Sequence, residues 1–231
     1  MTALERLADL AGGMMLDTAR VTAVTRLPGE FVRVELAADA FGKATWVPGA
    51  KLQFRPRRGT LSLRTYTPVR WDAGRGVTEL LGFTHGDGPA ARWLRQVADG
   101  DACEVFGPRK SIDLRDPAGP VVFVGDESSV ALACALRTVT ADVAHVFEAR
   151  DPAGLSEVLA GLGLDAQVAE KTADRAEVLR LARSAAGPAT LVVTGDAATV
   201  HAVRRDSRTW PRVPREVQGK AYWAAGRTGL D

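Results

Sequence analysis

Hydrophobic and polar residues alternate through the first half of the chain, then give way to unbroken apolar runs and a helical period. Up to about Met15, Leu4, Leu7, Ala8 and Ala11 stand at helical spacing and predict a short amphipathic helix. From Thr18 onward, alternating β-branched segments recur at Val21–Thr25, Phe31–Leu36, Leu52–Phe54, Thr65–Trp71, Val77–Thr84 and Ala102–Phe106. Pro28-Gly29, Pro48-Gly49, Ala73-Gly74-Arg75-Gly76 and Asp99-Gly100-Asp101 punctuate them. Short strands separated by such turn residues predict a small antiparallel barrel, with a helical insert at Pro89–Val97 before the last strand.

After Asp116-Pro117-Ala118-Gly119-Pro120 the texture changes. Val121–Val124, Val143–Ala149 and Leu191–Thr194 read as strands, and Ser129–Thr138, Gly154–Leu162, Arg175–Ala185 and Thr199–Arg205 as helices. Alternation of this kind predicts a parallel sheet with right-handed crossovers. The expected architecture is a β-barrel domain over residues 1–117 followed by a small α/β domain over residues 118–231.

Composition narrows the chemistry mainly by exclusion. With 46% hydrophobic and 25% charged residues, the chain is an ordinary globular sequence. Its formal charge of +2 offers no general attraction for nucleic acid. Cys103 and Cys134 are too few for an iron–sulfur cluster and form no Cys-x-x-Cys pair. Buried thiols in a reducing compartment are the expectation. His85, His145 and His201 lack metal-ligand spacing. No apolar run approaches bilayer length, and Glu5 and Asp9 do not suit a signal peptide. No membrane association and a cytoplasmic location are expected.

Two segments carry candidate chemistry. In Arg64-Thr65-Tyr66-Thr67, strand alternation points Arg64 and Tyr66 to one face. A guanidinium fork suits a pyrophosphate, and a neighbouring phenol ring can stack on an isoalloxazine. About twenty residues later comes Gly86-Asp87-Gly88-Pro89-Ala90-Ala91-Arg92-Trp93, a Gly/Pro turn opening a helix. The free N–H groups of that helix start would face the same phosphates. In this order the two segments point to a flavin dinucleotide.

A barrel bearing Arg-x-Tyr-Thr and followed by a small α/β domain resembles the ferredoxin-reductase-like flavoproteins. Within that group it is most similar to the siderophore-interacting protein family, FAD-dependent ferric-siderophore reductases. The resemblance covers most of the chain and is carried by Arg64–Arg70, by His85-Gly86 leading into Gly88–Trp93, and by Gly125-Asp126-Glu127-Ser128. Gly195-Asp196 and the closing Tyr222-Trp223-Ala224-Ala225-Gly226 echo it more weakly. It implies that Arg64 pairs with the FAD pyrophosphate, that Tyr66 stacks on the flavin and that Thr67, beyond Thr65, reaches the flavin edge. Strict alternation, however, puts Thr67 on the face opposite Tyr66. The resemblance further implies that His85, Gly88, Ala90 and Ala91 wrap the diphosphate. Asp126 and Ser128 would belong to an acidic turn at the cofactor, and Trp223 would be an aromatic near the flavin.

Departures from the family pattern shape the expectation. Ala91 stands where a small hydroxyl residue is usual, the turn after Ser128 lacks a proline, and Trp223 is followed by alanines rather than a basic residue. The chain is short for the family, which predicts a trimmed α/β domain. Asp126 and Glu127 sit where a dinucleotide fingerprint needs glycines, so NADH or NADPH is expected to bind weakly or in another pose. Asp126 and Glu127 also suit simple capping of the helix that follows. Arg57 and Arg58 form either an electropositive rim for an anionic chelate or a solvated turn. Trp46, Trp71 and Trp210 are expected in packing or rim positions. The implied function is electron transfer from reduced FAD to the Fe(III) of a ferric siderophore, with NADH, NADPH or a ferredoxin-type protein as donor. The alternatives are a reductase serving an oxygenase, a biosynthetic tailoring flavoenzyme, or a binding module without redox work.

Overall fold

The computed structural model describes residues 16–55, 63–185, 187 and 190–226. The chain divides into two compact units, Met1–Asp113 and Leu114–Asp231. The helix expected before Met15 and both rim candidates, Arg57 and Arg58, lie outside the described residues.

The first unit comprises β1 (Asp17–Leu27), β2 (Phe31–Ala37), α1 (Asp39–Lys43), β3 (Lys51–Arg55), β4 (Arg64–Tyr66), β5 (Pro68–Asp72), β6 (Val77–Phe83), α2 (Pro89–Gln96) and β7 (Ala102–Arg109). Its strands form one seven-stranded sheet, ordered β4-β3-β7-β1-β2-β6-β5 and antiparallel at each pairing. The two edge strands are consecutive in the chain and only Thr67 separates them, so the sheet must curl until its edges approach. Alternation along β2 and β3 sends Val34, Leu36, Leu52 and Phe54 inward, where they meet Val105 and Leu80 in a closed core.

One expected strand is corrected. The run Thr65–Trp71 breaks at Thr67 into β4, which pairs with β3, and β5, which pairs with β6. Pro68 explains the break. It has no N–H for a continuing ladder, it favours the first position of an edge strand, and it holds Thr67 extended. Thr67 is therefore a corner residue, and the strict alternation that set it opposite Tyr66 stops at that corner.

The second unit comprises β8 (Val121–Gly125), a 3-10 turn (Glu127–Ser129), α3 (Val130–Arg137), β9 (Val143–Ala149), α4 (Pro152–Gly161), β10 (Ala166–Glu170), α5 (Ala176–Ser184), β11 (Thr190–Asp196), α6 (Ala197–Asp206) and β12 (Glu216–Trp223). Its parallel sheet runs β10-β9-β8-β11-β12. The central strands β8 and β11 are buried along their whole length, as expected of a sheet covered by helices on both faces. The chain builds outward from β8 through β9 to β10, then crosses to β11 on the other side. This reversal between β8 and β11 is the position where open α/β sheets usually bind ligands.

The sequence reading missed both edge strands. β10 (AQVAE) buries only Ala169, and β12 (EVQGKAYW) is half-buried throughout. Neither shows the apolar signal of a central strand. Both cysteines are buried and free. Among the described residues no helix is long and apolar enough to cross a membrane, and no cluster suits a metal ion.

Candidate functional site

The register of β3 and β4 sets the geometry of the first motif. Tyr66 stands opposite Leu52 and Arg64 opposite Phe54, so both share the face of two core residues. The Tyr66 ring meets Phe54 edge-on at 6.1 Å. Burial is the main cause that pushes the Tyr66 phenol up to about 12, against a smaller downward pull from the Arg64 charge. It therefore stays neutral across the physiological range and brings no negative charge toward a phosphate. The Arg64 guanidinium donates through Nη1 to the Leu63 carbonyl at 2.9 Å. Thr65, on the opposite face, has a buried hydroxyl with no hydrogen-bond partner among the described residues.

Phe54 also joins this strand to the second motif, because its other neighbour is Trp93 of α2, at 4.6 Å. Helix α2 lies close on β6: a Cβ at Gly82 would come within 2.4 Å of Leu94. The two ends of α2 are treated differently. At the C-terminal end Arg26 donates to the carbonyls of Leu94 and, at 2.9 Å, of Val97. At the N-terminal end Gly88 is the cap and no side chain bonds back. Pro89 has no N–H to offer, and the first intrahelical bond runs from Arg92 N to Gly88 O. The Ala90 and Ala91 N–H groups are thus left outside the helical ladder.

The turn before α2 is held from the helix itself. Arg95 Nη1 donates to the carbonyls of Thr84 (2.6 Å) and Gly86 (2.8 Å), its Nη2 pairs with Asp87 at 3.2 Å, and Arg92 donates to the Asp87 carbonyl. Gly86 has φ +71°, the left-handed region that favours glycine. A Cβ at Gly86 or Gly88 would meet nothing within 4 Å. His85 is exposed and stacks on Phe83 at 4.7 Å. Sequence reasoning missed Arg26, Arg92 and Arg95. No role is assigned to them from sequence, and only their acceptors reveal the work.

These residues fit FAD. An uncapped helix start, open space over two glycines, and an arginine and a neutral tyrosine on one strand face are what a flavin diphosphate requires.

The second unit gathers Asp126, Ser128 and Trp223 at the carboxyl ends of its strands and satisfies them internally. Asp126 Oδ1 accepts from Ser128 N (3.0 Å) and Ser128 Oγ (2.5 Å). Its Oδ2 accepts from Asp196 N (2.9 Å) and Trp223 Nε1 (2.8 Å). Complete burial drives the Asp126 carboxyl up, while bonds from Ser128 and Trp223 and the Lys171 charge draw it partly back. Lys171 Nζ bridges Glu148 (2.9 Å) and Asp196 (3.0 Å) and lies 4.5 Å over the Trp223 ring. Burial pulls the Lys171 ammonium down, and its bonds to Glu148 and Asp196 outweigh that pull and raise it.

This crevice does not fit a dinucleotide pyrophosphate. Its glycines admit the protein's own atoms: a Cβ at Gly195 would lie 2.5 Å from the Asp126 carboxylate, and one at Gly125 2.6 Å from Ser129. A fingerprint glycine instead leaves room for a phosphate.

Comparison with known proteins bears on the first unit. Residues 14–112 match the model of the siderophore-interacting FAD-binding domain. The first unit matches that family, and the match assigns it FAD. The siderophore-interacting protein SipS from Aeromonas hydrophila shares 19% identity over 93% of each chain, with a TM-score of 0.74. A siderophore utilization protein from T. fusca shares 22% identity over 94% of this chain and 95% of its own, with a TM-score of 0.73. The ferredoxin reductase of carbazole 1,9a-dioxygenase shares 17% identity over 90% of this chain and 69% of its own, again with a TM-score of 0.73. No curated protein matches the chain. The trimmed second domain expected from length is not found, because nearly all of the SipS chain is covered.

Proposed function

We propose that the protein is an FAD-dependent reductase that passes electrons to chelated Fe(III) and so releases Fe(II) from a ferric siderophore. The observation that carries this reading is that Phe54 packs between Tyr66, on the strand face it shares with Arg64, and Trp93 of α2, the helix whose start is uncapped. Bound FAD can hold one electron or two, and so would link a donor of either kind to a one-electron acceptor. The protein's part is positional. Arg64 and the Ala90 and Ala91 N–H groups hold the diphosphate, with Gly88 and His85 at the turn. Tyr66 carries the ring system, and the corner residue Thr67 offers a hydroxyl at its edge. Arg57 and Arg58 receive the anionic chelate in this reading. Gain of an electron by Fe(III) weakens the hold of hard oxygen ligands on iron, which favours release.

The crevice of the second unit, where Asp126 is held by Ser128, Asp196 and Trp223, bears on the donor. With Asp126 buried there and no glycine clasp, a carrier protein of ferredoxin type is the favoured donor, and NADH or NADPH a weak one. Asp126, Ser128 and Trp223 serve in this reading to shape the second unit rather than to touch FAD. A cytoplasmic setting, in which Cys103 and Cys134 stay reduced, belongs to the same proposal. The alanines after Trp223, where the family often has a basic residue, favour one second reading, a reductase serving an oxygenase.

The test has two stages. Purified protein is expected to show the two-banded flavin spectrum and to release FAD on denaturation. The anaerobically reduced protein is then mixed with a ferric hydroxamate or catecholate, and a ferrous-specific chromogenic chelator reads the product. Fe(II) should appear as the flavin absorbance returns. Bound FAD that leaves every ferric chelate unreduced would favour the oxygenase-linked reading. Arg64→Ala is expected to weaken FAD by about 1.5–3 kcal/mol, the worth of a charged hydrogen-bonded contact. Flavin held at unchanged affinity would remove Arg64 from the site.

A further inference from the structure

The second unit carries a charged groove that the flavin reading leaves unused. It runs along α6 with a volume near 620 Å³, floored by Ala198 and Ala202 and flanked by Arg175, His201, Arg205 and Arg208. Arg204 lines it too and lies flat over β12, where a Cβ at Gly219 would come within 3.0 Å of its Cδ. Residues 204–215 hold five arginines against one carboxylate, Asp206. That carboxylate is committed elsewhere, to Arg183 at 2.6 Å and the Trp210 indole at 2.7 Å. Arg204, Arg205 and Arg208 make no ion pair among the described residues. The charge is local, since Leu114–Asp231 as a whole contains 14 Lys and Arg against 15 Asp and Glu.

Arginines in the last turn of a helix also complement its dipole. That accounts for Arg204 and Arg205 but not for Arg208, Arg212 and Arg215, which follow the helix. The form of the groove limits what it can hold. Small-molecule sites are enclosed and mostly apolar, whereas His201, Arg204, Arg205 and Arg208 are all exposed. From His201 to Arg208 the basic side chains spread over roughly 10 Å along the helix, about the reach of three extended residues. We propose that this groove docks an extended acidic segment, rich in Asp and Glu, of a partner protein. The proposal does not depend on the flavin reading.

The test titrates fluorescein-labelled hexaglutamate into the FAD-loaded protein and follows anisotropy at low and physiological ionic strength. Saturable binding that weakens with salt is expected. The Arg204→Ala, Arg205→Ala, Arg208→Ala triple variant should bind about tenfold more weakly, as the loss of several exposed charge pairs implies. Flavin absorbance and far-ultraviolet circular dichroism should match the parent, because these side chains are exposed. Gly219→Ala, which displaces Arg204 without removing a charge, should weaken binding several-fold. Absence of binding at low salt, or equal affinity in parent and triple variant, would overturn the proposal. So would displacement of the peptide by micromolar ADP or inorganic phosphate, which would make the groove a phosphate site.

Discussion

Each unit has a helical turn that begins where a strand has ended, and each has glycines beside it, yet the two ends are opposites. In the barrel, α2 starts at Gly88 with no side-chain cap, and the space over Gly86 and Gly88 is open. In the α/β unit, the turn after β8 is capped by Asp126, and the space beside Gly195 is filled by that same carboxylate. The first arrangement leaves donors for an anion. The second spends its donors on an anion of its own. A helix start beside glycines is therefore no sign of a phosphate site until the destination of its N–H groups is known.

The sharpest way to break this comparison is to test whether Gly195 serves the protein rather than a ligand. Gly195 has φ +108°, and a Cβ there would lie 2.5 Å from Asp126. Gly195→Ala combines backbone strain with overpacking, and should cost about 3–4 kcal/mol. Chemical denaturation should show the α/β unit unfolding early while flavin absorbance changes little. A variant of parental stability would mean that the crevice is loose enough to admit a ligand.

A smaller effect, of opposite sign on two readouts, is expected at the open helix start. Gly88 has φ −65° and ψ 157°, which any L-residue accepts, and its Cβ direction is empty. Gly88→Asp would give α2 the self-made cap that Asp126 gives the other unit. Stability of the apoprotein should rise by a few tenths of a kcal/mol. FAD affinity should fall about tenfold, since a carboxylate now competes for the N–H groups and repels the diphosphate. Titration of the apoprotein by flavin fluorescence reads this directly. Unchanged affinity would move the diphosphate away from α2.

The same contrast explains what the sequence disclosed. The central strands and the barrel alternation were legible because burial writes itself as apolar period, from Val121-Val122-Phe123-Val124 to the inward residues of β2. Edge strands β10 and β12 were not, because a half-buried strand need not alternate. Arg64, Tyr66 and Gly88, proposed to hold FAD, stood out only in combination, because neither the strand motif nor the helix entry is distinctive alone. The distant partners of Asp126 could not be picked out, although its cap on the following turn could. Trp223 lies 97 residues away, and Lys171, Glu148 and Asp196 meet only where parallel strands end side by side. Nor could the break at Thr67 be read from alternation, although Pro68 was its visible cause.

The smallest effect concerns Tyr66 and bears on why the open end tolerates an aromatic acid. Its phenol is pushed up to about 12, chiefly by burial, while an unfolded tyrosine titrates near 10. Below pH 10 both states keep the proton and Tyr66 adds no pH dependence. Between about 10 and 12 the unfolded state gives up its proton first, so stability falls as pH rises through that window. Tyr66→Phe keeps the ring against Phe54 and removes the ionisation. At neutral pH it should retain FAD, and between pH 10 and 12 its denaturation midpoint should fall less steeply than the parent's. With Tyr222 as the only other tyrosine, absorbance titration of the phenolate can follow the same group directly. Identical slopes in parent and variant would show a Tyr66 that reaches solvent. The desolvated face shared with Arg64 would then lose its claim to hold a neutral ring beside a charged diphosphate.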